Sequence, residues 1–273
     1  CCSIAAALFA PASYSAMLEE VVVTAQKREQ NLQDVGIAVS AFTGDQMAAM
    51  GVTQSVDIAA FTPGVHISGN LAGQNTQFSI RGVTQNDFND VIEAPNAVYL
   101  DEGYLAIAQA QTFAVFDIER VEILKGPQGT LFGRNATGGL VHYVSNKPTF
   151  ETEGYIDIGF GRYDTKANAN EYTVEAALGG ALSETVAGRV AVRHNQRDGY
   201  LKNLYPESAF LPAPGADAGA DLGDDDTQAA RLSLLFTPSD KLNISFSANY
   251  ASSEVATGPY QSKSTIGIVN ENG

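Results

Sequence analysis

Leu242-Asn243-Ile244-Ser245-Phe246-Ser247-Ala248-Asn249-Tyr250 alternates apolar and polar side chains without a break. An extended strand sorts such a run onto two faces, because its side chains point to opposite sides in turn. Working back along the chain, the same period recurs four times. Ile156, Ile158 and Phe160 alternate with Tyr155, Asp157 and Gly159, and Tyr172, Val174, Ala176 and Leu178 with Thr173, Glu175, Ala177 and Gly179. Val186, Gly188, Val190 and Val192 alternate with Ala187, Arg189, Ala191 and Arg193. Ala230, Leu232, Leu234 and Phe236 face away from Arg231, Ser233 and Thr237, with Leu235 the exception. Five successive strands sharing one apolar and one polar face are expected.

The connections differ in length. Ser183-Glu184-Thr185 and Pro238-Ser239-Asp240 are tight, whereas the run from Gly199 to Asp226, ending in Asp224-Asp225-Asp226, is long. Short turns on one side and long loops on the other suit a bacterial outer-membrane barrel. A soluble antiparallel sheet with one face on a core alternates identically, so the pattern alone leaves both readings open. Five is odd, and single-chain bacterial barrels close with even numbers from eight upward. An unclosed edge in hydrocarbon would leave backbone groups unpaired. The barrel reading therefore carries the expectation that this chain is a fragment at both ends.

The 273 residues hold 16 Lys+Arg against 31 Asp+Glu, a net charge of −15. Such a surface repels the phosphates of nucleic acid, and it offers no basic patch for anionic headgroups. The longest apolar run, Ile4–Ala12, is nine residues, short of the roughly 18–20 that a spanning helix needs. Cys1 and Cys2 are the only cysteines, so no core disulfide, cysteine zinc site or thiol nucleophile is expected. Ile4–Ala10 followed by Ser13-Tyr14-Ser15-Ala16 reads as the apolar and cleavage regions of a secretory signal, with Ser13 and Ser15 at −3 and −1. The alternative is a buried helix. Residues 1–16 are thus expected to be a signal remnant and the protein to be exported.

Between Leu18 and Lys147 the pattern is mixed. Val35–Phe42 reads as a strand, Gly44–Gly51 as a short helix closed by Gly51, and Ser55–Phe61 as another, stopped by Thr62-Pro63-Gly64. Val65–Ser68, Gln77–Ile80, Ala97–Leu100, Arg120–Leu124 and Leu140–Val144 read as short strands between Gly, Asn and Asp clusters. A small α+β domain is expected, with the composition changing near Pro148.

Nothing in the sequence resembles a catalytic centre. His66, His142 and His194 lie far apart, and H-E-x-x-H, G-x-S-x-G and S-x-x-K are absent. The run Lys125–Gly139 invites a phosphate-loop reading, but no Gly-Lys-Ser/Thr ends it and Pro127 removes an amide. Turns built on glycines at positive φ account for it better. Leu18–Gln30 places Val21, Val22 and Val23 between charged residues. Such a strand suits either pairing with another protein's sheet edge or a place as the domain's own first strand.

Taken in order, these residues resemble the TonB-dependent outer-membrane receptors. Glu19, Glu20, Val21, Val22, Val23, Thr24 and Ala25 resemble the TonB box. Lys27–Asp34, Ala38–Phe42, Pro63-Gly64, Ser79-Ile80-Arg81-Gly82 and Val98-Tyr99-Leu100-Asp101 follow, and Phe116–Gly139 is the longest and most specific run. Gly36, Glu102 and Leu140-Val141-His142 depart from the usual pattern. The resemblance implies a TonB box and linker at 17–30 and an α+β plug domain at 31–149. Residues 150–273 would be the first antiparallel strands of a transmembrane β-barrel, about five of a usual 22. It implies a non-enzymatic receptor without cofactor that takes up a ferric siderophore or similar complex, set in outer-membrane lipid and driven by TonB. Arg81 and Lys125 would face barrel glutamates beyond Gly273. A soluble periplasmic binding or scaffold protein is the rival reading.

Overall fold

The computed structural model describes residues 22–24, 27–28, 30–70, 75–85, 92–203 and 220–255. The signal-like residues 1–16, and Glu19, Glu20, Val21 and Ala25, lie outside them. In chain order the elements of the first half are β1 (Val22–Val23), β2 (Gln30–Asn31), β3 (Val39–Thr43), α1 (Gly44–Ala49), β4 (Val65–Asn70) and β5 (Asn75–Ile80). There follow β6 (Asn96–Leu100), β7 (Gly103–Tyr104), β8 (Ile118–Lys125), α2 (Gly129–Phe132) and β9 (Gly139–Ser145). The second half holds β10 (Glu153–Arg162), β11 (Asn170–Ala181), β12 (Val186–Arg197), β13 (Asp225–Ser239) and β14 (Leu242–Val255).

A sheet in the order β3-β8-β9-β6-β7 organises the first domain, with β6 and β9 parallel and the other neighbours antiparallel. Its central strands are apolar on both sides because both sides are covered. Val121 and Ile123 of β8, Val141 and Tyr143 of β9 and Val98 of β6 point into one cluster with Met47, Ile58 and Phe78. The alternate residues Leu124, Leu140 and Ala97 point into a second, which receives Val23, Phe132 and Ala136. Glu122 and His142 occupy that second face as directly opposed cross-strand partners.

Local chemistry sets the ends. Thr43 and Gln46 form a reciprocal capping box on α1, and Gly51 at φ 72° stops it. One expectation needs correction, and the short helix expected at Ser55–Phe61 is found there. The strand expected at Val35–Phe42 lies at Val39–Thr43, because Asn31 caps a 3₁₀ turn over Leu32–Asp34 by accepting from the Gln33 amide. Ser55–Phe61 is a 3₁₀ helix whose start is held by Asp57, which accepts from the amides of Thr53 and Gln54. In the glycine-rich run, Gly126, Gly133 and Gly139 have positive φ. A Cβ on Gly139 would overlap the Leu124 carbonyl, so only glycine lets β9 approach β8 there.

The second half is one antiparallel sheet, β10-β11-β12-β13-β14, joined in sequence order. The five alternating runs all fall in it. Its faces decide between the two readings that alternation left open. A soluble sheet would press its apolar face onto a core. Here Ile156, Ile158, Phe160 and Leu178 are about two-thirds exposed, while Arg189, Asn195 and Arg231 on the opposite face are less than a tenth exposed. The polar face takes the first domain and the apolar one is turned outward, as in a membrane barrel. Leu232→Arg, at mid-strand on the outward face, is expected to cost about 2–4 kcal/mol. The check is the heat-modifiable fraction recovered in outer membranes, which Ser233→Arg on the polar face should lower less.

Candidate functional site

Three inward arginines of the wall grip the segment that leads into β8. Asp117 takes a left-handed backbone, φ 48°, which Asp tolerates better than most residues. Its carboxylate accepts two bonds from Arg189, Nη2 to Oδ1 at 2.6 Å and Nε to Oδ2 at 2.8 Å. Asn146 Nδ2 adds a third at 2.9 Å. The Asp117 amide donates to Glu175 Oε1 at 3.2 Å. Arg193 bridges Glu175, at 2.7 Å, and the Val115 carbonyl. Arg231 donates to the Phe116 and Asp117 carbonyls and to Asn249 Oδ1, with its guanidinium 4.7 Å over the Phe116 ring. Ala177, Ala191 and Ala229 leave the space this ring fills. A bidentate buried pair backed by carbonyl-bound cations fixes orientation as well as position. Beside it a cavity of about 440 Å³ separates α1 from the wall, lined by Asp45, Met47, Asp157 and Thr173 among others.

The N-terminal strand is fastened to the plug-like domain itself. Val22–Val23 pairs with Gln30–Asn31, and Val23 is fully buried. Thr24 donates twice to Glu122 Oε1, from its amide at 2.7 Å and its hydroxyl at 3.0 Å. Arg120 Nε donates to the same oxygen at 2.8 Å, and its Nη2 reaches Thr24 Oγ1 at 3.2 Å. At the surface, Lys27 Nζ lies 2.6 Å from Glu102 and 4.9 Å over the Phe132 ring. This bond to Lys27 holds the Glu102 carboxyl below its ordinary range.

Across from Glu122, His142 Nε2 contacts the Asp101 carbonyl at 2.8 Å. Burial pushes the imidazole below its ordinary 6.5, against the opposing pull of Glu122. A neutral buried imidazole is favoured by folding, so its contribution is complete above about pH 6.5 and falls away as pH drops toward the lowered folded value. His142→Asn is expected to flatten the loss of thermal stability between about pH 6.5 and 5. Melting curves of the two proteins at both pH values check it; parallel losses would sink the assignment.

Of the residues singled out in sequence, Val22, Val23 and Thr24 come together with Glu122 and Arg120. Arg81 and Lys125 also converge. Lys125 donates to the Pro63 carbonyl at 2.9 Å, and burial followed by repulsion from Arg81 lowers its pKa. Among the described residues neither cation forms an ion pair with a carboxylate. The wall hub around Asp117 escaped the sequence reading. Its signal was the arginines at 189, 193 and 231 on the polar face, which need counter-charges once that face is covered.

Residues 31–140 match the model of the TonB-dependent receptor plug domain. The pesticin receptor of Yersinia pestis is 28% identical over 227 residues, 81% of this chain and 30% of its own length. The vitamin B12 transporter BtuB of Photobacterium profundum is 25% identical over 68% of this chain and 29% of its own. Among solved structures, the ferric yersiniabactin uptake receptor FyuA from Yersinia pestis superposes with a TM-score of 0.65 at 25% identity. That match covers 80% of this chain and 32% of FyuA. The pyoverdine receptor FpvA of Pseudomonas aeruginosa PAO1, at 16% identity and TM-score 0.62, shares the fold. The chain spans about 30% of the length of the curated relatives it matches.

Proposed function

We propose that this chain, the plug domain and first barrel strands of a TonB-dependent outer-membrane receptor, serves the energy-dependent uptake of a scarce small-molecule complex, most simply a ferric siderophore. The observation that carries it is the wall's inverted polarity: arginines clamp the first domain on one face, and apolar side chains stand exposed on the other, as a lipid-facing surface requires. In this reading Glu19–Ala25 is the segment that TonB takes up by strand addition. Arg81 and Lys125 are cations reserved for glutamates of the wall. Their convergence without a carboxylate partner among the described residues supports that role.

Relatives named for yersiniabactin and pyoverdine favour an iron complex, whereas BtuB points to a cobalamin. The test is uptake by the complete receptor. Val22→Pro removes an amide that strand addition needs, and is expected to abolish accumulation of labelled cargo while surface binding persists. Accumulation that survives Val22→Pro, or that does not require TonB, overturns the proposal. Offering ferric siderophores and cobalamin side by side decides the cargo.

A further inference from the structure

A segment destined only for a partner's sheet needs no buried bond to its own domain, yet Thr24 makes two. We propose that Glu122 is the clasp that keeps the Val22–Thr24 strand docked on the plug until it is handed on; this deepens the TonB-box reading above and rests on it. Glu122 is fully buried, and a single oxygen of its carboxylate takes all three donors, two of them from Thr24. Arg120 closes the ring by reaching back to the Thr24 hydroxyl. Val23 seals the arrangement from the apolar side, against Leu124, Phe132 and Leu140.

Undocking therefore strips two of three donors from a fully buried carboxylate, and it bares Val23 in the same step. Charge-assisted bonds in such surroundings are the strong ones. The outer contact, Lys27 to Glu102, has Glu102 exposed and contributes little by comparison. The clasp also sits on the strand pinned to the wall. Asp117 enters β8 just before Arg120 and Glu122, with a register shift between Ile118 and Arg120. One strand thus carries both the wall anchor and the hold on the N-terminal strand.

The experiment uses the complete receptor in isolated outer membranes. Val23→Cys places a thiol at a fully buried position, and its maleimide labelling rate reads undocking. Adding Thr24→Val or Glu122→Gln is expected to raise that rate tenfold or more, and adding Lys27→Ala less than threefold. Unchanged rates with both clasp variants, in heat-modifiable receptors, overturn the proposal. Should Glu122→Gln fail to assemble, Thr24→Val, which alters only the strand itself, decides. Binding of a purified TonB C-terminal domain to the same membranes is scored separately. Faster labelling without tighter TonB binding leaves the clasp standing and removes the handover reading.

Discussion

Asp117→Ala loosens the plug's hold on the wall, at a cost of about 3–5 kcal/mol, because it leaves the Arg189 guanidinium buried with its main partner gone. Arg189 keeps only Glu153, whose side chain is half exposed. Arg231 and Arg193 still hold the carbonyls of residues 115–117, so the segment loosens rather than leaves. Limited proteolysis of the receptor in outer membranes reads the effect as faster cutting within residues 31–140. The double variant Asp117→Leu with Arg189→Met removes both charges and is expected to be markedly less damaging than Asp117→Ala. If the single and double variants are cut equally fast, the pair does not anchor the plug.

Phe78→Ala has the next largest effect, about 3–5 kcal/mol. The Phe78 ring is fully buried where β5 meets the cluster of Met47, Ile58, Val98 and Tyr143. A ring-sized void there cannot collapse easily, because the Asn96 side chain ties the Phe78 carbonyl in place at 2.7 Å. That loss rivals the whole margin of an ordinary domain. The five-stranded wall is held by its own ladders and meets this cluster only at its margin, where Arg193 bonds the Val115 carbonyl, so the variant should remain heat-modifiable while its plug becomes protease-sensitive. Phe78→Leu, which fills most of the volume, should lie between it and the wild type.

These two sites mark where sequence reading succeeds and where it stops. The wall strands were legible because each residue's face follows from parity alone, and lipid outside with polar contents inside writes that parity into side-chain type. The plug strands around Phe78, Val98 and Val121 were legible through the Gly, Asn and Asp breaks between them. The start of β3 was not, because the Asn31-capped turn and Gly36 precede it without changing the apolar pattern of Val35 and Ile37. The pairing of Val22–Val23 with Gln30–Asn31 rests on two bridges, too few to leave a periodic signal. Parity placed Arg189 and Arg231 on the polar face but could not say what they meet. Asp117 lies far along the chain from both, and only the docked domain brings them together.

The seven residues between the end of β9 at Ser145 and the start of β10 at Glu153 act as a leash. Fully extended they reach about 25 Å, but Asn146 is bound to the carbonyl and the carboxylate of Asp117 and so shortens that reach at its root. A domain moored this closely can swing but cannot drift.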